Sequence, residues 1–142
     1  MRLLLWTILF TVTSLAAFAE KKVIQPKEMP TGRPFSPGIL VDGTLYVAGQ
    51  TGNNLKTAER PEAFEDEVKT CLENVGVVLK AAGFDYKDAV AVTVYLTDME
   101  LFARMNAVYT TYFKEQRPVR ATVGVAKLVG TARIEISVTA HK

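Results

Sequence analysis

The fold is decided by residues 61–96, PEAFEDEVKTCLENVGVVLKAAGFDYKDAVAVTVYL, in which a helical pattern gives way to a strand pattern. In the first part, apolar residues recur at three- and four-residue steps: Phe64, Val68, Cys71, Leu72, Val75, Val78, Leu79 and Ala82. This spacing places them on one face of a helix, with Pro61 suited to its first turn and Gly83 to its end. Residues 89–96 are rich in β-branched side chains and too few for a typical helix, so they are predicted to form a strand.

Further elements are predicted on both sides of this stretch. Before it, residues 39–41 and 45–48 flank Asp42-Gly43, which favours a tight hairpin turn, while the proline-rich residues 20–37 suggest an extended lead-in. After it, an amphipathic helix over residues 101–113 precedes two strands, Ala121–Leu128 and Ala132–Ala140, joined at Val129-Gly130.

The order β-β-α-β-α-β-β indicates an α+β domain. Both helices must cover apolar surface, and a single sheet with both helices on one face allows this. The opposite face of the sheet would remain apolar in places, and a second copy of the chain is the simplest group to cover it.

The start of the chain has the pattern of an export signal. Met1-Arg2 is followed by the uncharged, mostly apolar Leu3–Ala19, which ends in Ala17-Phe18-Ala19 before a charged segment. This favours a cleaved signal peptide over residues 1–19 and a secreted or periplasmic domain over residues 20–142, with no membrane attachment after cleavage. The alternative is an uncleaved anchor, for which the apolar run is at the lower length limit.

Composition excludes several classes of function. The formal net charge is +2, from 17 Lys+Arg against 15 Asp+Glu, so no strong electrostatic field is expected to attract nucleic acid. Cys71 and His141 are the single cysteine and histidine, which excludes an intramolecular disulfide and makes a metal site unexpected. Cys71 lies on the apolar helix stripe and is predicted to be buried and inert.

The C-terminal third carries two candidate catalytic groups, Arg120 and Glu135. Glu135 lies between Ile134 and Ile136 in a predicted strand. From the pattern alone it is either the solvent-facing residue of an alternating strand or a carboxylate held in a partly dry cleft.

These residues resemble a known family. Arg120-x-Thr-x-x-x-Val-Ala-x-Leu, followed by Ile134-Glu135-Ile136 and Ala140, is similar to the C-terminal signature of the Rid family, the reactive intermediate deaminases also called YjgF-like. The resemblance extends over nearly all of residues 20–142. Its other matched segments are Pro34–Gly38, Ala48-Gly49-Gln50, Asn74 with Leu79–Gly83, and Phe102 with Asn106 and Tyr109.

The resemblance implies a chorismate-mutase-like fold, a homotrimer, and a small-molecule cleft at each subunit interface. It also implies cofactor-free hydrolysis of 2-imino or enamine acids to 2-oxo acids and ammonia. Arg120 would bind the substrate carboxylate and Glu135 would place or activate water. The other residues that the resemblance assigns to substrate binding are Asn106, Phe35, Ala48, Gly49 and Thr122.

Three positions depart from the family pattern. Phe35 and Ala48 stand where tyrosine and serine are usual, and Thr122 stands where cysteine is frequent. Each lost hydroxyl at Phe35 and Ala48 should weaken binding of a polar substrate by roughly 0.5–1.5 kcal/mol. These changes bear on the identity of the substrate. A non-catalytic trimer that binds a small carboxylic acid in the same cleft is the alternative function, whereas RNA cleavage is disfavoured by the near-neutral charge.

The predicted final hairpin also has consequences for the site. If Val129-Gly130 is the turn, Arg120 faces Thr139 and Glu135 faces Gly124, on the same face of the sheet and about 13 Å apart. One subunit would then not bring both groups to a small substrate, and a site shared between subunits is expected.

Overall fold

The computed structural model describes residues 20–142, and the predicted signal peptide over residues 1–19 lies outside them. The strands are β1 (Lys22–Ile24), β2 (Gly38–Val41), β3 (Thr44–Thr51), β4 (Ala89–Leu96), β5 (Val119–Gly124) and β6 (Ile134–His141). The helices are α1 (Phe64–Ala81) and α2 (Phe102–Tyr112), and single 3₁₀ turns at Tyr86–Asp88 and Met99–Leu101 precede β4 and α2. The six strands form one mixed sheet in the order β1-β2-β3-β6-β4-β5.

The core lies between the two helices and one face of this sheet. The predicted stripe of α1 is buried, with Val68, Leu72 and Val75 wholly inaccessible to solvent. In β6, Ile134, Ile136, Val138 and Ala140 are buried, and they alternate with residues that are only half-buried or exposed. The α+β class, with a single sheet and two helices, is therefore confirmed.

The predicted hairpin is also confirmed. Asp42 and Gly43 both have positive φ, 47° and 69°, and join β2 to β3 with Val41 opposite Thr44. A two-residue turn of this kind matches the twist of paired strands, which explains the Asp-Gly sequence. Within the extended lead-in, residues 22–24 additionally form β1, which pairs with β2.

The last two strands do not form the predicted hairpin. β6 lies between β3 and β4 and is antiparallel to both, whereas β5 lies at the sheet edge, parallel to β4. Two physical reasons explain the difference. Every second side chain of β6 is buried, which suits a central strand, and β4, α2 and β5 form a strand–helix–strand unit in which the two neighbouring strands run parallel. The pairings of Arg120 with Thr139 and of Glu135 with Gly124 are therefore wrong.

The face of the sheet that is turned away from the helices is open. Tyr46, Val119 and Val123 lie on it with 52%, 73% and 42% of their surface exposed. Within residues 20–142, no helix is both long and apolar enough to cross a membrane.

Candidate active site

Glu135 lies on the open face of the sheet, against a glycine. It is paired with Thr51 of β3 and Tyr95 of β4. A Cβ placed on Gly49 would come within 2.0 Å of Glu135 Oε1, so the carboxylate packs directly on the bare backbone at that position. A side chain there would occupy the space of the carboxylate, which explains why the sequence has glycine.

The Gly49 segment is held by a bulge and by hydrogen bonds. The β3–β6 register shifts between Val47 and Gln50, which places Ala48 and Gly49 in the irregular part of the strand. Gln50 Nε2 donates to the Ala48 carbonyl at 2.9 Å, and Cys71 Sγ donates to the Gln50 carbonyl at 2.9 Å. Burial raises the pKa of the Cys71 thiol well above its usual value, so the thiol keeps the proton that it donates. Cys71 is thus buried, as predicted.

Glu135 and Gly49 form part of the wall of a cavity of about 430 Å³. Phe35 of the lead-in also lines this cavity, half exposed, together with the loop that follows β3. Buried Asn74 of α1 supports that loop by donating to the carbonyls of Thr51 and Asn53, both at 2.9 Å. Four elements therefore converge on one side of Glu135: the lead-in, β3, α1 and the loop after β3.

A second glutamate, Glu67, anchors the start of β6. It is completely buried on α1 and accepts hydrogen bonds from the Arg133 main chain at 2.7 Å and from Arg133 Nε at 2.6 Å. Arg60 Nη1 lies 3.4 Å from the same carboxylate, and a Cβ on Gly52 would collide with the main-chain carbonyl oxygen and the Cγ of Glu67. The network fixes the strand two residues before Glu135, and paired buried charges of this kind are costly to break.

Sequence reasoning missed Glu67, although a signal was present. Glu67 is three residues after Phe64 and four before Cys71, so it falls on the apolar stripe of α1 rather than beside it. An acidic residue in that position must find a cation when the helix packs against the sheet.

Arg120 lies in a different part of the molecule, on the helix side of the sheet edge. Its guanidinium carbon is 4.6 Å from the centre of the Tyr109 ring and 5.7 Å from that of Phe102. Both rings belong to α2, and stacking of this type orients the guanidinium while leaving its N–H edges available. Among residues 20–142, no acidic side chain forms an ion pair with Arg120.

Asn106 and Thr122 belong to the same cluster as Arg120. Thr122 is two residues further along β5 and therefore shares a face with Arg120, and its buried hydroxyl has no hydrogen-bond partner within the described residues. Asn106 is half-buried on α2, one turn before Tyr109. Burial raises the pKa of the Tyr109 phenol, which keeps the stacking ring neutral.

The structure thus divides the predicted site residues into two clusters. Phe35, Gly49 and Glu135 line the cavity, beside Ala48 in the bulge, whereas the arginine cluster comprises Asn106, Arg120 and Thr122.

The register gives the separation of the two clusters within one chain. Arg120 is opposite Val92, which is opposite Val138, so Glu135 is offset by three residues along the strands and two strands across the sheet. This offset corresponds to roughly 14 Å between Cα atoms. Because three is an odd number, the side chains of Arg120 and Glu135 point to opposite faces, so the prediction of a shared face is wrong.

The described residues 20–142 contain no group of three His, Cys, Asp or Glu side chains placed to hold an ion. The chemistry available to the two clusters is carboxylate recognition by a guanidinium and proton transfer by a carboxylate.

Comparison with known proteins identifies the family. The sequence profile described as endoribonuclease L-PSP matches residues 26–142. A RutC family protein of Aquifex aeolicus is 37% identical over 125 residues, covering 86% of this chain and 99% of the relative. The 2-iminobutanoate/2-iminopropanoate deaminase of Mus musculus is 38% identical over 122 residues, covering 84% of this chain and 90% of that enzyme.

A solved structure agrees with this assignment. The Rid-family protein YyfA of Yersinia pestis superposes with a TM-score of 0.82 at 32% identity, covering 87% of this chain and all of that chain. The matched range includes both helices, five complete strands and all seven predicted site residues. This chain therefore belongs to the endoribonuclease L-PSP family, in which RutC and Rid proteins are its relatives.

Proposed function

We propose that this protein hydrolyses reactive 2-imino and enamine acids to 2-oxo acids and ammonia, in a cleft between two copies of the chain. The observation that carries the proposal is the division of the site: a carboxylate fixed on Gly49 in a cavity, and a stacked arginine without an acidic partner at the sheet edge. Relatives named as 2-iminobutanoate/2-iminopropanoate deaminases, at about 38% identity, support the same class of reaction.

The two groups have complementary roles in such a reaction. Arg120 of one copy binds the substrate carboxylate through two parallel hydrogen bonds and so fixes the position of the neighbouring imine carbon. Orientation of this kind can lower a barrier by several kcal/mol, at most ~7–11 kcal/mol. Glu135 of the adjacent copy orients a water molecule and accepts its proton as the oxygen attacks that carbon.

The reaction is balanced without an additional reagent. Addition of water to the protonated imine forms a C–O bond and gives a carbinolamine. Glu135 then gives the proton it holds to the amino group and takes the proton of the carbinolamine hydroxyl as the C–N bond breaks, so that ammonia leaves and the 2-oxo acid forms. A protonated imine is already an electrophile, so the residues of the two clusters are sufficient for these steps.

A homotrimer is the assembly we propose for this site. The open sheet face and the β5 edge expose the side chains of Tyr46, Val119 and Val123, which a second copy would cover. In a closed ring each copy presents the same two surfaces, so one neighbour meets the arginine cluster and the other meets the cavity.

The experiment uses purified residues 20–142, which contain the whole sheet and both helices. The substrate is 2-iminopropanoate, generated in situ by an amino-acid oxidase, and ammonia release is measured with and without the protein. We expect the wild-type protein to accelerate release and both Arg120→Ala and Glu135→Gln to lose most of that acceleration.

The same variants separate catalysis from binding alone. Glu135→Gln should retain affinity for a stable carboxylate such as pyruvate, measured by calorimetric titration, because Arg120 is intact. If the wild-type protein binds pyruvate without accelerating ammonia release, the non-catalytic binding function replaces the deaminase. Equal turnover by Glu135→Gln and wild type would remove Glu135 from the mechanism.

A further inference from the structure

A second arginine, Arg33, lines the cavity that contains Glu135. Arg33 and Glu135 are the two ionisable side chains among the lining residues, which are otherwise amide, hydroxyl, glycine or apolar groups. Within residues 20–142 no acidic side chain forms an ion pair with Arg33. The cavity therefore contains one guanidinium whose hydrogen-bonding capacity is available to a ligand.

The backbone and a neighbouring ring restrict how Arg33 is presented. Gly32 has a φ of 77°, a conformation that other residues adopt at a cost, and Pro34 limits Arg33 to extended conformations. The guanidinium carbon lies 5.8 Å from the centre of the Phe35 ring, which is in the wall of the same cavity. Less conformational freedom is then lost when the guanidinium binds an anion, even though the residue is exposed.

The proposed reaction leaves Arg33 without a role if the substrate has a single carboxylate. Arg120 of the adjacent copy would bind that carboxylate and Glu135 would position water. A further guanidinium in the cavity then matches a second negative charge on the part of the substrate that extends beyond the imine carbon. Arg33 and a carboxylate can form the bidentate pair for which arginine is suited.

We propose that Arg33 is a specificity-determining residue, which binds the distal carboxylate of a 2-imino dicarboxylic acid, the imine of an acidic amino acid. The inference rests on the proposed deaminase function and names its substrate class. The bonds formed and broken are those of the same hydrolysis, and the products are a 2-oxo dicarboxylic acid and ammonia.

The test compares two imines that differ by one carboxylate. Residues 20–142 are assayed with 2-iminosuccinate and with 2-iminopropanoate, formed in situ by oxidation of aspartate and of alanine. The quantity measured is the ratio of the two kcat/KM values. We expect the wild-type ratio to favour 2-iminosuccinate and Arg33→Met to lower it about tenfold, mainly through KM.

The matched control is Lys56→Met. Lys56 belongs to the same loop as Asn54, Leu55 and Ala58, which line the cavity, but its own side chain is exposed and is not part of the lining. This variant removes the same unit of charge from the same region and should leave the ratio unchanged. If the ratio of kcat/KM values falls for both variants, the preference comes from the overall positive charge near the cavity and not from a binding site at Arg33. This result would overturn the proposal.

A binding measurement separates this proposal from the proposed function. Succinate and propionate, which are stable, are titrated into wild type and Arg33→Met. If wild type binds succinate more tightly than propionate and Arg33→Met loses this preference, the dicarboxylate site is supported. This holds even if neither imine is hydrolysed, and in that case only the proposed deaminase function fails. If Arg33→Met leaves the substrate ratio and the preference for succinate as in wild type, Arg33 does not bind the second carboxylate.

Discussion

At the residue scale, the role of Glu135 depends on its neighbour across the sheet. A glutamate between two isoleucines is normal for a strand with one solvated face, and Glu135 does lie on the open face. The difference is at Gly49, where the absent Cβ leaves room for the carboxylate to lie on backbone. The local sequence around Glu135 cannot show this contact, because the glycine is far away in the chain and in another strand.

Gly49→Ala tests this contact. A methyl group 2.0 Å from Glu135 Oε1 must displace the carboxylate, and misplacing a catalytic group by about 1 Å can lower turnover by up to about 100-fold. We expect 2-iminopropanoate hydrolysis by residues 20–142 to fall between roughly tenfold and 100-fold.

A double variant isolates the cause of this loss. In the Glu135→Gln background, Gly49→Ala should have little further effect on turnover, because both changes act on the same carboxylate. If the two substitutions lower turnover additively, Gly49 affects turnover independently of the Glu135 carboxylate, for example by shaping the bulge in β3. Thermal unfolding of all three variants measures the stability cost separately.

At the element scale, an ion pair connects the two helices. Arg104 of α2 donates from Nε and Nη2 to the two carboxylate oxygens of Glu65 on α1, at 2.6 and 2.7 Å. These hydrogen bonds lower the pKa of Glu65 from 4.5 to about 2. Since the pKa is depressed in the folded state, the pair stabilises the fold above pH 4.5, and this contribution is lost as the pH falls through about 2.

Arg104→Met should therefore destabilise the protein in a pH-dependent way. The difference in unfolding free energy between wild type and variant should be largest near neutral pH and should shrink as the pH falls from about 4.5 to about 2. Urea unfolding at a series of pH values measures this difference.

The matched control for Arg104→Met is Lys69→Met. Lys69 pairs with Glu73 at 4.0 Å on the exposed side of α1, a spacing at which an exposed pair contributes little. The difference in unfolding free energy between wild type and Lys69→Met should stay constant over the same pH range. If the difference in unfolding free energy between wild type and Arg104→Met is also independent of pH, the contact between the two helices does not depend on the charge of Glu65.

The elements that the sequence predicted correctly are those specified by local signals. The Asp42-Gly43 turn and the apolar stripe of α1 are each contained within a short window, so propensity and periodicity predict them. The position of β6 is a non-local property, because its two neighbours in the sheet are separated from it in sequence. Val129-Gly130 resembled a hairpin turn, but β4, α2 and β5 already form a parallel unit that places β5 at the edge.

At the scale of the whole molecule, the two groups of the proposed site lie apart within one chain. Arg120 and Glu135 are two strands apart and on opposite faces, so no side-chain rotation brings both to a small imino acid. The residues that the family resemblance assigns to one cleft fall on two separate surfaces of the chain. The proposed ring of identical copies would join these surfaces without requiring any change in the fold.

Subunit mixing tests whether the site is composite. Arg120→Ala and Glu135→Gln proteins, each almost inactive, are unfolded together in equal amounts and refolded into mixed assemblies. A composite site is intact where a Glu135→Gln copy supplies Arg120 and the neighbouring Arg120→Ala copy supplies Glu135. In an equal mixture this combination occurs at about a quarter of the interfaces, so about a quarter of wild-type activity should return. Refolding Glu135→Gln with the double variant Arg120→Ala/Glu135→Gln is the control, since no intact glutamate is present. If the first mixture is as inactive as the control, or if active wild-type protein is monomeric by light scattering, the two groups do not act across an interface.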